Sequence, residues 1–422
     1  MKKKLFAFLL VVMPLIIQAQ NLNGRFTSSF YTFERFNSLN TSETFIRTNQ
    51  ALSFNANYDK FSLRTRLSFE SNIGKSLDND PRMRFYNLYL EARNLFDVAT
   101  IKLGRQSLFT SVAGGLYDGI NIKLQHSDFS LTGFYGGNVP AYQKLEFTDD
   151  LSNDYVLGGR LETTALKDFR FGVSYIDKNF KPVDYYALRM NEDLDPVTVL
   201  IQSKSNQFKY LSADAFYSYN TLGYINTRYE YDVNFEVTSK VEVEGRVNPT
   251  KDLGVNFYYN YREPRIRYNS IFSVFNYGNT HEIEGGIDYK LMNNYTFFVK
   301  YGDVTYNTEN SSRITLGANT DYGSLSYRKT FGYAGELDAV SIYSAHTFMD
   351  GFLTPSLGLS FTLYKLSKDD DANTIVALLA GCNVRPWKKF SFDLQGQYSH
   401  NKIYKNDFRV LFKVNHFFNT NF

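Results

Sequence analysis

This chain is poor in the residues on which most catalytic and metal sites are built. Cys382 is its one cysteine, so an internal disulfide, a C-x-x-C zinc pair and a C-x-x-C-H haem attachment are all out of reach, and a small buried apolar side chain is the expected role. The five histidines, His126, His281, His346, His400 and His416, stand far apart with no H-E-x-x-H spacing, so no metal or other cofactor is expected. Glycines gather in "TGFYGGN", but no helical pattern follows them, and a phosphate cradle is not expected there. A net charge of +3 without a run of like charges gives nucleic acid no footing.

Helical patterning and long apolar runs are scarce as well. No segment sustains apolar residues at i, i+3, i+4 and i+7, so helices are minor. The long apolar run lies in "MKKKLFAFLLVVMPLIIQAQ", where Lys2, Lys3 and Lys4 precede Leu5 to Ile17. It is shorter than the ~20 residues a membrane helix needs. The pattern predicts a secretory signal peptide over residues 1–19, cleaved after Ala19, and a single domain over residues 20–422. No later apolar run reaches ~18 residues, so a membrane-embedded chain would have to cross with strands.

Aromatic residues are abundant, with 38 Phe and 33 Tyr against a modest hydrophobic fraction of 43%. A large soluble protein fills its interior with Leu, Ile and Val, whereas a membrane barrel needs one apolar residue in two, with aromatics at the interfaces. The arrangement matches the second case. "FSLRTRLSFE" sets Phe61, Leu63, Thr65, Leu67 and Phe69 against Ser62, Arg64, Arg66, Ser68 and Glu70. "FRFGVSY", "YINTRYEYD", "FEVTSKVEVEGRVN", "HEIEGGIDYK" and "FSFDLQGQYS" repeat the alternation.

Between these runs stand "NYDKF", "QHSDF", "LKDFR", "YNTLG", "TKDLG", "MNNYT", "TDYGS", "MDGF" and "WKKF", with a tenth turn near "NLFDVA". These read as tight hairpin turns, separated by enough residues for one strand out, a longer loop and one strand back. Because n strands with both ends on one side have n/2 − 1 such turns, the count predicts a transmembrane antiparallel up-and-down β-barrel of about 18–22 strands, 22 being the best count. A soluble sandwich would need all these hairpins without helical cover.

With apolar residues facing lipid, alternation sends the rest inward. Near the N-terminus these are Arg25, Arg47, Arg64, Arg66 and Arg93, joined by Arg409 and Lys413 from the last strand, a basic sector because first and last strands meet in a closed barrel. The middle strands send Glu230, Asp232, Glu236, Glu242, Glu244, Glu282, Glu284 and Asp288 inward, interleaved with Arg228, Lys240, Arg246 and Lys290. Walls of opposite sign would set up a transverse field favouring polar and dipolar solutes. The bland alternative is that the charges pair across strands to stiffen the wall. No catalytic constellation stands out, so an enzyme is not expected; a Ser/His site assembled across strands would be invisible at this level.

Two stretches carry resemblances. "DFRVLFKVNHFFNTNF" resembles the terminal strand of bacterial outer-membrane proteins, which implies that Phe418 and Phe422 act as an assembly signal for the barrel-assembly machinery and that the protein resides in the outer membrane of a Gram-negative cell. "IKLGRQSLFTSVAGGLYDGINIKL" resembles a segment of porin-like and alginate-export-like outer-membrane barrels, in which an L-G-R-Q strand end precedes a D-G strand start. The matching positions are Leu103, Gly104, Arg105, Gln106, Asp118 and Gly119, and the resemblance implies a cross-hairpin pair of Arg105 with Asp118. The arginine set of an alginate exporter is only partly present.

TonB-dependent transporters resemble one another in an N-terminal plug, for which the strand pattern starting near Leu22 leaves no room. The expectation is therefore a porin-like channel for passive diffusion of small hydrophilic or charged solutes. The alternative is a structural sleeve around a partner protein in the lumen, such as an electron carrier or secretion factor. The connection Lys181 to Gln207 is the candidate for a constricting or capping loop.

Overall fold

The computed structural model describes residues 20–36, 42–75, 80–108, 114–139, 145–181, 185–190, 195–201, 206–265, 278–292, 294–307, 309–332, 335–366, 370–402 and 406–422. Residues 1–19, where the sequence predicts a signal peptide, lie outside them.

Nearly every described residue is in a strand or a strand connection; the exception is a single 3-10 turn at Met349–Gly351. In chain order the strands are β1 (Asn21–Phe36), β2 (Ser42–Tyr58), β3 (Phe61–Ile73), β4 (Arg82–Leu95), β5 (Ala99–Leu108), β6 (Gly115–His126), β7 (Phe129–Val139), β8 (Tyr155–Thr163) and β9 (Phe169–Phe180). Then come β10 (Tyr185–Met190), β11 (Pro196–Ile201), β12 (Asn206–Tyr219), β13 (Gly223–Asp232), β14 (Val237–Val247), β15 (Leu253–Arg262) and β16 (Thr280–Leu291). The last are β17 (Tyr295–Tyr306), β18 (Glu309–Thr320), β19 (Gly323–Gly332), β20 (Glu336–Ala345), β21 (Leu353–Lys365), β22 (Asn373–Trp387), β23 (Phe390–His400) and β24 (Asp407–Asn421).

All but β10 and β11 join one antiparallel sheet of 22 strands, which closes on itself where β1 pairs with β24 from Asn21↔Asn421 to Tyr31↔Leu411. Closure removes the free edges that an open sheet would expose. The ten short turns fall where the sequence places them, at one end of the barrel together with Gln20 and Phe422. Their Asp and Asn residues supply the left-handed backbone that tight hairpins need: Asp59, Asp168 and Asn220 all have positive φ.

The other end is less regular than expected. The connections 140–154 and 263–279 are long, but β13–β14, β17–β18 and β19–β20 are joined by only a few residues. The rule of short turns alternating with longer loops therefore holds for part of the circumference only. The connection after Lys181 is not a simple loop either. Its described part is the hairpin β10–β11, paired with itself and with no barrel strand.

The outer face is apolar over the whole circumference, with Phe26, Leu103, Leu131, Leu161, Leu211, Ile287, Val299, Leu325, Leu359 and Leu394 all exposed. No helix in the described residues is long and apolar enough to cross a membrane. A closed barrel wearing such a belt satisfies its backbone internally and offers apolar side chains outward, which is the surface a bilayer requires.

Candidate functional site

The lumen is the one continuous polar surface that this architecture encloses, and ladder register fixes what lines it. Counting eleven strands round a ring of 22 places β15 across from β2. The basic sector and the wall expected to be acidic are thus diametrically opposed.

On β24 and β1–β5, alternation and register put Arg25, Arg47, Arg64, Arg66, Arg93, Arg409 and Lys413 on the inner face. Several already hold carboxylates. Arg64 reaches Glu91 at 2.8 Å, with Lys102 and Arg93 farther out on the same acid, Lys413 holds Asp393 at 3.1 Å, and Arg409 holds Asp407 at 2.6 Å. Arg82 holds Glu70 at 2.7 Å. Arg25, Arg47, Arg66 and Arg84 have no ion-pair partner among the described residues; Arg47 donates to Asn72 at 3.1 Å and lies over the Phe33 ring, and Arg66 lies over the Tyr86 ring. Arg25 and Arg66 share a row through Ser53, and Arg84 pairs in the next row through Ser68. Arg47 stands six residues farther along β2 than Ser53, roughly 20 Å at ~3.3 Å per residue.

The opposite wall behaves differently from expectation. Glu230, fully buried, sits between Arg228 and Arg265, each at 3.1 Å. Glu242 is paired with Lys240, Glu282 and Glu284 with Arg313, Glu284 also with Lys300, and Asp288 with both ends of the Arg246 guanidinium. Glu244 accepts from the Tyr224 hydroxyl at 2.9 Å and has no ion-pair partner among the described residues. Asp232 caps the turn after β13 by accepting from the Asn234 and Phe235 amides. Glu236 is not on the wall: it lies in that turn with φ 56° and is exposed, because a bulge at Ser239 lets a four-residue turn close the hairpin. Most of the wall's acids are therefore paired, within a strand or across strands, rather than left as an acidic surface, which is closer to the pairing alternative.

The remaining quadrants are also not evenly polar. On the inner face of β5–β12, Leu108, Tyr117, Phe134, Val156, Ile176 and Tyr210 form a buried apolar cluster. Across from it β19–β23 carry a row of small neutral side chains, Ser326, Ser341, Ser360, Ala377 and Ser399, with Ser326 and Ser341 hydroxyls 2.7 Å apart.

The cross-hairpin pair is present. Arg105 donates to both oxygens of Asp118, at 2.8 and 2.7 Å, and each is 5% exposed. Next to it Gly104 faces Gly119, and Gly119 faces Gly136. A Cβ on Gly119 would strike the Gly136 backbone, and one on Gly136 would strike Gly119, so both positions require glycine.

Glu70, Glu91, Asp393, Asp407, Arg313 and Lys300 are lumenal partners that the sequence reading left out. The signal was there, since each alternates with apolar neighbours in its own strand. At the C-terminus Phe418 lies over Gly24, where a Cβ would meet its ring, and Asn21 donates to Asn419 at 2.9 Å across the seam. His416, a polar break in the aromatic strand, stacks on Phe390 with centroids 4.4 Å apart. No group of residues that could hold a metal ion occurs among the described residues.

No family model matches the chain, and no curated protein matches it. Among solved structures it is similar to the P pilus usher (PapC) translocation pore, at 8% identity and TM-score 0.46, covering 94% of this chain and 99% of that one. It is also similar to Acinetobacter baumannii OccAB4 (10% identity, TM-score 0.42, covering 96% and 99%) and to Pseudomonas aeruginosa OpdQ (9%, 0.42, 94% and 98%). At this level the likeness carries nothing about activity, and the barrel stands on its own ladder of paired strands.

Proposed function

We propose that the chain is an outer-membrane channel through which small hydrophilic or charged solutes diffuse passively, with anions favoured along the β1–β4 wall. The observation that carries this reading is the set of guanidiniums with no ion-pair partner among the described residues, Arg25, Arg66, Arg84 and Arg47, across from a wall most of whose acids are paired with their own cations. A fixed positive strip on one side of a water-filled lumen concentrates anions beside it and leaves neutral polar solutes free to pass. No covalent step is involved.

The apolar belt supports a location in lipid, and the aromatic C-terminal strand ending at Phe418 and Phe422 supports insertion by the barrel-assembly machinery. Liposome swelling tests the channel: purified protein should admit small sugars and carboxylates, with rates that fall with solute size. Stoichiometric co-purification of a second protein, with no swelling, would replace the channel by a sleeve around that partner.

A further inference from the structure

We propose that residues 145–153, between β7 and β8, form a membrane strap: they lie against the outside of the wall and present Leu145, Phe147 and Leu151 to the acyl chains of the outer leaflet. The proposal rests on the reading that the barrel spans a membrane.

Register identifies the face. Gly137 pairs with Asp118 and shares its side of β7 with exposed Tyr135, whereas Phe134 points inward into the buried cluster. The point that a Cβ on Gly137 would occupy is taken by Thr148, with Leu151 Cδ2 3.4 Å away. Thr148 and Leu151 thus lie over the outer surface rather than in the lumen, on the face that carries the Arg105–Asp118 pair.

Depth places this contact in the bilayer. Gly137 lies eight residues beyond Phe129, the first of β7, or roughly 26 Å along the strand at ~3.3 Å per residue. A strand tilt of about 40° makes that roughly 20 Å along the membrane normal, inside an apolar band about 25 Å tall.

Irregular backbone at that depth must satisfy its own polar groups. The C-terminal part of the strap does so: the Asn153 and Asp154 amides donate to the Asp150 carbonyl at 3.1 and 2.8 Å, and the Asp150 amide donates to the Thr148 hydroxyl. The Ser152 hydroxyl and the Asn153 amide group close on the Asp150 carboxylate. Its exposed apolar side chains are Phe147 at 69%, Leu151 at 44% and Leu145 at 43%, on a wall that also exposes Tyr135 and Leu157 of the belt, and Glu146, Ser152 and Asn153 are exposed beside them. Asp149 and Lys181 form its charged edge, 3.1 Å apart.

The test uses indole fluorescence in the full-length protein, after Trp387→Phe removes the one native tryptophan. Phe147→Trp and, as a belt control, Leu131→Trp are reconstituted into phosphatidylcholine vesicles with acyl chains brominated near the carbonyl end. Quenching of both by lipid, with poor quenching of both by aqueous acrylamide, is the expected result. Quenching of Phe147→Trp by acrylamide and not by lipid, with Leu131→Trp still quenched by lipid, overturns the strap and leaves the barrel in its membrane. Failure of lipid to quench Leu131→Trp overturns the membrane reading itself and the strap with it.

Discussion

The Arg105–Asp118 pair shows how far a single contact can be pressed. Both side chains are almost fully buried and bonded in parallel, so removing one leaves a charge without its counter-charge, a loss of about 3–5 kcal/mol. Arg105→Ala or Asp118→Ala should therefore lower the temperature at which the folded band on a denaturing gel gives way to the unfolded one. The double replacement Arg105→Met/Asp118→Leu should recover most of that loss. Equal losses for the single and double variants would mean that the pair's partner contacts matter more than its charge. A second residue-scale test concerns pH. A hydrogen bond from the Lys181 ammonium holds the Asp149 carboxyl below the usual carboxylate range, and Asp149 in turn raises Lys181. A depressed carboxyl gives its stabilising link in full above the ordinary carboxylate range and loses it as pH falls through the lowered midpoint. The carboxyl-carbon shift of Asp149 should titrate below the ordinary value in the native protein and at the ordinary value in Lys181→Met; coincident curves would deny the link. The alternation in "YLEAR" and "FSFDLQG" made Glu91 and Asp393 legible as inward groups. Which cation each holds was not, because partners come from neighbouring strands whose register depends on turn lengths and bulges.

Among elements, the hairpin turns were the most legible, since Asp, Asn and Gly in a tight turn meet a local backbone demand that needs no tertiary knowledge. The opposite rim was not legible. Bulges such as the one at Ser239 allow hairpins to close in a few residues, which is how Glu236, an apparent wall residue, ends in a turn. The long connection after Lys181 was read as one loop because β10 and β11 pair only with each other, a local choice that barrel periodicity does not announce. Close approach of β6 to β7 gives the test at this scale. Gly136→Val should block pairing and leave the chain unassembled, because its Cβ would meet the Gly119 backbone, whereas Gly133→Val, with open space around it, should assemble at near native yield. Equal yields in membrane fractions would contradict the packing described.

Over the whole molecule, strand count and closure followed from counting turns, but the charge map did not follow from listing inward residues. Formal charges on β13–β16 suggested an acidic wall; pairing within and across strands neutralises most of it, and the cations left without described counter-charges lie instead on β1–β4. Arg64, prominent in the sequence, is committed to Glu91, while Arg25, Arg66 and Arg84 are not held by any described carboxylate. The central claim is that these guanidiniums line a conducting path. Reversal potential across a planar bilayer in a potassium chloride gradient measures it directly: the native protein should be anion-selective, and Arg25→Glu/Arg66→Glu/Arg84→Glu should shift the potential toward cation selectivity at similar conductance. An unchanged reversal potential in the triple variant, or the absence of conductance in the native protein, would contradict the account.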